Sequence, residues 1–457
     1  MTVAVDFETE QFQTLSGSFS GVFVHAADDE YDEVRRIHNA LVDRRPALVA
    51  RCRGAADVAD AVKFARAAGL DISIRGGGHN VAGRAVVDDA LMIDLSLMKG
   101  IHIDPAARTA RVQGGVLWRE LNREAGAHGL AVTGGAISTT GVAGYTLGGG
   151  LGWLMAKYGL AADNLNSVEI VTADGEILNV SDDSHPDLFW AVRGGGGNFG
   201  VATSFEFRLH HLPMVVGGLI AHPFDAAKDL LSFYRESSES ASDDLNLFAG
   251  LVHAPDGSGM KLSALLICHT GDPAQAEEEL APIKAFGLPL MVEVGLMPYP
   301  VMNTLLDAGY PPGLLNYWLS NFTRGFDEAL IDTMIERFET VPSPMTAIVI
   351  EHFHGEVTRI DPSAIPVPHR ETGWNLLLPS VWADPADSDA NIAWTRETHA
   401  AVGPHLVERK WLNYLGDDQA DDAIRGAYGP NYDRLAQIKR QYDPDNVFHH
   451  NHNIRPA

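Results

Sequence analysis

Three glycine clusters, Gly76–Gly78, Gly148–Gly150 and Gly194–Gly197, punctuate the first half of the sequence, and the first runs directly into His79. Glycine has no Cβ, so such loops can take positive φ and bring backbone N–H groups close to a ligand such as a pyrophosphate. Alone, each cluster reads equally well as a tight turn. The third contains "GGGNFG", Gly195 to Gly200, which satisfies the G-x-G-x-x-G pattern of Rossmann domains. That pattern binds a dinucleotide only between a strand and the helix whose N-terminus receives the phosphate. Here helix-like "HPDLFWAVRG" comes first and strand-like "VATSFEFRLHHL" second, so the order is reversed and a Rossmann site is excluded.

Single hydrophobic cores stop growing near about 250–300 residues, so 457 residues imply two lobes. A 46% hydrophobic, 21% charged composition is that of an ordinary soluble globular chain, and no run approaches the roughly 18 apolar residues of a membrane helix. The first residues, "MTVAVDFETEQF", lack the basic and apolar regions of a signal peptide, so the cytoplasm is the expected compartment. A formal charge of −26 repels phosphate backbones and anionic lipid, which argues against nucleic acid and membrane as partners. Only Cys52 and Cys268 are present, too few for a disulfide framework or a cysteine-rich metal site.

"ALVARCRGAADVADAVKFARAAGLDISIRGGG" reads as strand, amphipathic helix and a second strand at Ile72–Ile74, with Val58, Ala61, Val62 and Ala65 on one helix face. Short strands and the helix "VLWRELNREAGAHGL", which ends at a glycine, follow. From about Pro213 the glycine clusters stop, and strand-like "MVVGGLIAHPF" and "LNLFAGLVHA" alternate with helix-like segments. The expected organisation is α+β: residues 1–212 as one domain with its core at about 40–212, residues 213–407 as a second domain of antiparallel sheet covered by helices, and residues 408–457 returning to the first. "ADDAIRGAYGPNYDRLAQIKRQYDP" reads as one helix of that return.

Taken together, "IRGGGHNVAGRAV", "TGVAGYTLGGGLGWLMAKYGLAADNL", "LFWAVRGGGGNFGVAT" and "YDPDNVFHHNHNI" resemble, in order and spacing, the FAD-linked oxidases related to berberine bridge enzyme, in the vanillyl-alcohol oxidase (PCMH-type) superfamily. The resemblance runs from about residue 40 onward and is weakest in the second lobe. It implies a two-lobed PCMH-type FAD-binding domain with a substrate domain. Arg75, Gly76, Gly77, Gly78, Asn80 and Gly83 then belong to the pyrophosphate loop, and His79 is the residue bonded to the flavin 8α-methyl carbon. Many relatives add a cysteinyl bond four residues before the glycine matching Gly141; that position is Ile137, so His79 is expected to be the only tether.

By the same resemblance, Gly134, Thr139, Gly141 and Gly144 present backbone to the cofactor, and Val142 overlooks the flavin face where dioxygen arrives. Tyr145 replaces a histidine of some relatives. Asn198 and Val201 are placed against the cofactor, Asn413 beside it, and Asn451 and Asn453 close the site from the tail. His449, His450 and His452 suggest a metal, but no carboxylate or cysteine lies nearby in sequence, and a solvated tail without metal is the expectation.

Oxidising an alcohol or amine carbon releases a hydride and a proton, so a base is required: a tyrosine of lowered pKa or a carboxylate. "WLNYLGD" resembles the family's active-site strand, which nominates Tyr414 as base or as the base's hydrogen-bond partner. Glu351, in apolar "TAIVIEHFHG", is the carboxylate candidate. Tyr317 and Trp318 are expected to line the substrate site, with Leu319 where relatives often carry lysine. The implied activity is oxidation of a C–O or C–N centre of a small alcohol, sugar or amine, with dioxygen reduced to hydrogen peroxide; a flavin oxygenase or oxidative cyclisation enzyme of secondary metabolism is the alternative.

Overall fold

A computed structural model describes residues 9–418 and 421–457. The first sheet uses strands β1 (Val22–Val24), β2 (Leu48–Arg51), β3 (Ile72–Arg75) and β4 (Leu91–Asp94), in the order β1-β2-β4-β3. The strand–helix–strand unit read from sequence is present, but β4 inserts in parallel between β2 and β3. Its crossover helix, Ala55–Ala68, buries Val58, Ala61, Val62 and Ala65 completely and ends at Gly69 with φ +66, a left-handed cap that glycine adopts without strain.

Strands β5 (Ile101–Asp104) and β6 (Thr109–Gln113) precede a two-residue strand β7 (Leu130–Ala131). After them come β8 (Leu165–Val171), β9 (Ile177–Ser181), β10 (Val201–Arg208) and β11 (His210–His211), which pairs with β7. A five-stranded antiparallel sheet forms in the order β5-β6-β10-β8-β9.

The third large sheet contains β12 (Val215–Pro223), β13 (Leu245–His253), β14 (Lys261–His269), β15 (Met291–Met297), β16 (Leu315–Phe322), β17 (Ile348–Phe353) and β18 (Gly373–Trp382). Its order is β15-β12-β14-β13-β17-β18-β16, antiparallel throughout. Period-two alternation divides these apolar strands between two cores. Ile348, Ile350, Leu376 and Leu378 pack with Leu230, Leu280, Met334 and Trp394 from the covering helices. The opposite face, with Phe248, Leu266, Cys268 and Phe353, packs on Leu151, Trp153 and Met155 of the first lobe. Val349, Glu351 and Leu377 are therefore turned toward the first lobe.

The returning segment differs from the single helix read from sequence. It forms two helices, Asp421–Tyr428 and Tyr432–Tyr442, separated by a 3-10 turn at Gly429–Asn431, where Pro430 lacks an N–H and Gly429 has φ +48. Tyr432–Tyr442 carries a fully buried Lys439, which donates to Asn198 O (2.6 Å) and Phe448 O (3.1 Å) and pairs with buried Asp443. Asp443 in turn accepts from the Val447 and Phe448 N–H groups.

Candidate active site

One cavity runs between the lobes, walled by the Gly76–Val81 loop, the 135–145 segment, Gly197 and Gly200, strands β13, β16, β17 and β18, and the tail at Phe448–Asn451. The Gly76–Val81 loop meets the 135–145 segment backbone to backbone. A Cβ on Gly77 would lie 2.5 Å from Gly141 Cα, so neither position tolerates a side chain. Gly78 has φ +64, which turns the chain and presents His79 to the cavity. His79 Nε2 is shielded from solvent and has no hydrogen-bond partner. Burial, with nearby His38, pushes its pKa down to about 3, so the imidazole is neutral and keeps a free lone pair. His38, a residue sequence reasoning passed over, stacks on it.

At the other end, Tyr414 donates to Glu351 Oε1 (2.8 Å) and Asn375 Nδ2 donates to Glu351 Oε2 (2.8 Å); Ser320 holds Asn375 Oδ1 (2.8 Å). Glu351 is 3% exposed, and burial lifts its pKa to about 7 against the lowering effect of both donors. Tyr414 goes the other way from a lowered-pKa base: burial and the Glu351 charge push its phenol well above the usual range. Tyr414 is thus a neutral donor, and the carboxylate is the group poised to take a proton near neutrality. Tyr414 lies in a 3-10 turn, Leu412–Tyr414, rather than in the expected strand. Around Glu351 the wall is apolar: Phe248, Leu306, Tyr310, Trp318, Val349 and Leu377.

Of the residues nominated from sequence, Gly76, Gly77, Gly78, His79, Asn80, Gly141, Gly144, Val201, Asn413, Asn451, Glu351 and Tyr414 line this cavity, as does Ile137. Tyr317 does not. Strand alternation points Trp318 inward and Tyr317 toward the covering helix, where its hydroxyl meets Asp418 (2.6 Å) and Arg396 (3.0 Å). Val142 is wholly buried in the first-lobe core rather than over the cavity. Arg75 is turned away from the cavity and fixes the loop's base through Asp94 (2.7 Å). Gly83 and Gly134 are spacers whose Cβ positions are filled by Val42 and Trp118. Thr139 lies off the wall between Ser138 and Thr140. Asn198 is buried and organises the tail, donating to His452 O (3.1 Å) and accepting from Ile454 N (2.9 Å). Asn453 belongs to a different surface depression.

The Gly148–Gly150 cluster also stays off the wall. Asn413 occupies the space a Gly148 side chain would need and donates to Tyr145 O (3.1 Å). Folding supplies a carboxylate to the tail histidines that sequence proximity did not: Asp71 meets His450 Nε2 at 2.9 Å and His449 Nε2 at 3.7 Å, while His452 is buried apart. Asn375 and Tyr310 are further residues missed; an asparagine inside apolar "GWNLLLPSVW" was the available signal for the first.

Residues 46–181 match the FAD binding domain family, and residues 411–455 match the family described as berberine and berberine like. The chain is 33% identical over 454 residues to (R)-6-hydroxynicotine oxidase of Paenarthrobacter nicotinovorans, covering 96% of this chain and 97% of that protein. It belongs to the berberine-bridge-type FAD-linked oxidoreductases. A crystal structure of 6-hydroxy-D-nicotine oxidase from Arthrobacter nicotinovorans superposes on this family member with a TM-score of 0.88 at 30% identity, covering 96% of this chain and 99% of that one. Chitooligosaccharide oxidase, at 22% identity and TM-score 0.85, covers 98% of this chain and 99% of its own and shares the fold. The chain is accordingly an FAD-binding oxidoreductase of the oxidase type acting on a small molecule. The residues present fit FAD: a side-chain-free cradle at Gly77 and Gly141 and an unpartnered, neutral imidazole at His79 in the same cavity. Among the described residues no helix is long and apolar enough to cross a membrane.

Proposed function

We propose that the enzyme is an FAD oxidase that takes hydride from a C–N centre, with a C–O centre as the less fitting case, and that Glu351 takes the accompanying proton. The Tyr414–Glu351 contact of 2.8 Å inside an apolar wall carries this reading. A sugar needs many hydrogen-bond partners, whereas the wall around Glu351 offers few. A cyclic amine suits one carboxylate among aromatic and aliphatic side chains, in line with the substrate named for the nicotine oxidase relative.

When bound, the flavin supplies the hydride acceptor and passes the electrons to dioxygen, giving hydrogen peroxide. Gly76–Asn80, Gly141, Gly144, Val201, Asn413 and Asn451 would hold it, within a cofactor domain at 1–212, a substrate domain at 213–407 and a returning segment at 408–457. His79 would be its only covalent anchor: Ile137 occupies the place of a second, and Cys52 and Cys268 are fully buried outside the cavity. Glu351 holds the proton at its carboxylate; Tyr414 and Asn375 keep that carboxylate aimed. Trp318, Tyr310 and Leu377 exclude water and orient the substrate.

A peroxide-coupled screen of cyclic amines, alcohols and sugars tests the reading. Amines as the best substrates, with Glu351→Gln slow in single-turnover flavin reduction, support it; sugars as the best substrates, or an unaffected Glu351→Gln, overturn it.

A further inference from the structure

Strand β15 is the outer strand of the seven-stranded sheet and is hydrogen-bonded only to β12. Five of the eleven exposed large hydrophobic side chains among the described residues lie between 288 and 301. Leu288 is 87% exposed, Leu290 57%, Val292 47%, Leu296 55% and Val301 54%. Between residues 288 and 301 the sole charged side chain is Glu293, in a chain whose net charge is −26. Open strand edges are ordinarily guarded by charge, by proline or by a bulge, and a long apolar edge invites another strand. Pro289 and Pro298 flank β15 but none lies within it.

We propose that β15 is the seam of a homodimer, pairing antiparallel with β15 of a second copy about a two-fold axis at Val294. An isologous contact must be self-complementary, and this register is. Val292 faces the partner's Leu296, and Met291 faces the partner's Met297. Glu293 falls opposite the partner's Gly295, so no side chain stands directly across from the one charge, and the two Glu293 carboxylates of the dimer are only diagonal neighbours. Space around Gly295 is open: a Cβ there would have no heavy atom within 4 Å. Val294 packs on the core beneath the covering helices, so the new contact continues an existing apolar layer. No residue of β15 lines the cavity, so pairing leaves the active site unobstructed.

Size-exclusion chromatography with light scattering on the holoenzyme, at about 100 µM in salt high enough to screen the net charge, tests this. The expected mass is twice 49.3 kDa, falling toward the monomer on dilution. Gly295→Glu puts like charges opposite each other twice per dimer and should raise the dimer Kd roughly tenfold; Gly295→Lys pairs with the partner's Glu293 and should lower it roughly tenfold. Val292→Lys combined with Leu296→Lys should give monomer with unchanged flavin content. A wild-type monomer at every concentration overturns the proposal. So does a dimer indifferent to the Gly295 substitutions and to the double variant.

Discussion

The imidazoles of His38 and His79 lie face to face, with ring centroids 3.8 Å apart and planes 19° from parallel. The backbone secures the arrangement, His38 N donating to Gly78 O at 3.0 Å. His38→Ala removes one face of the support for His79 and should slow the appearance of acid-stable flavin roughly tenfold, whereas His38→Phe keeps a stacking partner and should recover most of it. Protein fluorescence after acid precipitation reads the difference. His79→Ala should release all flavin in the same assay.

Glu351 must be ionised to accept a proton, and its pKa sits at about 7. The rate of flavin reduction by an accepted substrate should therefore rise with pH and level off above about 7. Glu351→Gln should lower that rate by about a hundredfold or more and flatten the profile. Tyr414→Phe removes a donor that favours the ionised carboxylate, so its profile should shift to higher pH with roughly a tenfold lower rate. Stopped-flow absorbance across pH 5–9 checks both, and fast reoxidation with stoichiometric peroxide would separate an oxidase from an oxygenase.

The same carboxylate couples stability to pH. Its folded pKa is raised from 4.5 to about 7 by burial, so the protonated form is favoured in the folded state. The stability this contributes is fully present below about pH 4.5 and lost as pH rises through about 7, a change on the order of 3 kcal/mol. Glu351→Gln, which cannot ionise, should be more stable than wild type at pH 8 and close to it at pH 4.5, as judged by chemical denaturation.

Lys439 is 0% exposed and its ammonium holds Asn198, Phe448 and Asp443 at once. Lys439→Met leaves Asp443 buried without its cation and should cost about 3–5 kcal/mol by denaturant titration. Because Asn198 O loses its donor, flavin retention should fall as well.

Gly77→Ala should abolish cofactor loading while leaving helical content near wild type, since the added methyl would sit 2.5 Å from Gly141 Cα with only backbone to push against. Absorbance near 450 nm per protein and far-ultraviolet circular dichroism measure the two effects separately.

Much of the cavity wall was legible because glycine motifs report backbone demands, which are local. Glu351 was legible for a related reason: a carboxylate inside an apolar strand is costly unless it is used. Tyr317 illustrates the limit. The aromatic pair in "LLNYWLSNF" alternates sides in any strand, but which member faces the cavity depends on the register of β16 against β18, and that pairing spans residues far apart in the chain. Val142 and Asn198 were similarly placed near the cofactor by motif, whereas packing buries one in the core and assigns the other to the tail. His38 carries no local pattern, and the apolar setting of Asn375 marks a buried amide without naming its partner; only the folded chain brings them to His79 and Glu351.

The two ends of the cavity differ in what they can change. At Gly77 and Gly141 two main chains touch, so nearly any replacement disturbs both. At Trp318, Val349 and Leu377 single side chains project from rigid neighbouring strands of one sheet. On the proposed function, exchanging these projections one at a time should alter substrate preference while leaving the Gly77–Gly141 backbone contact untouched.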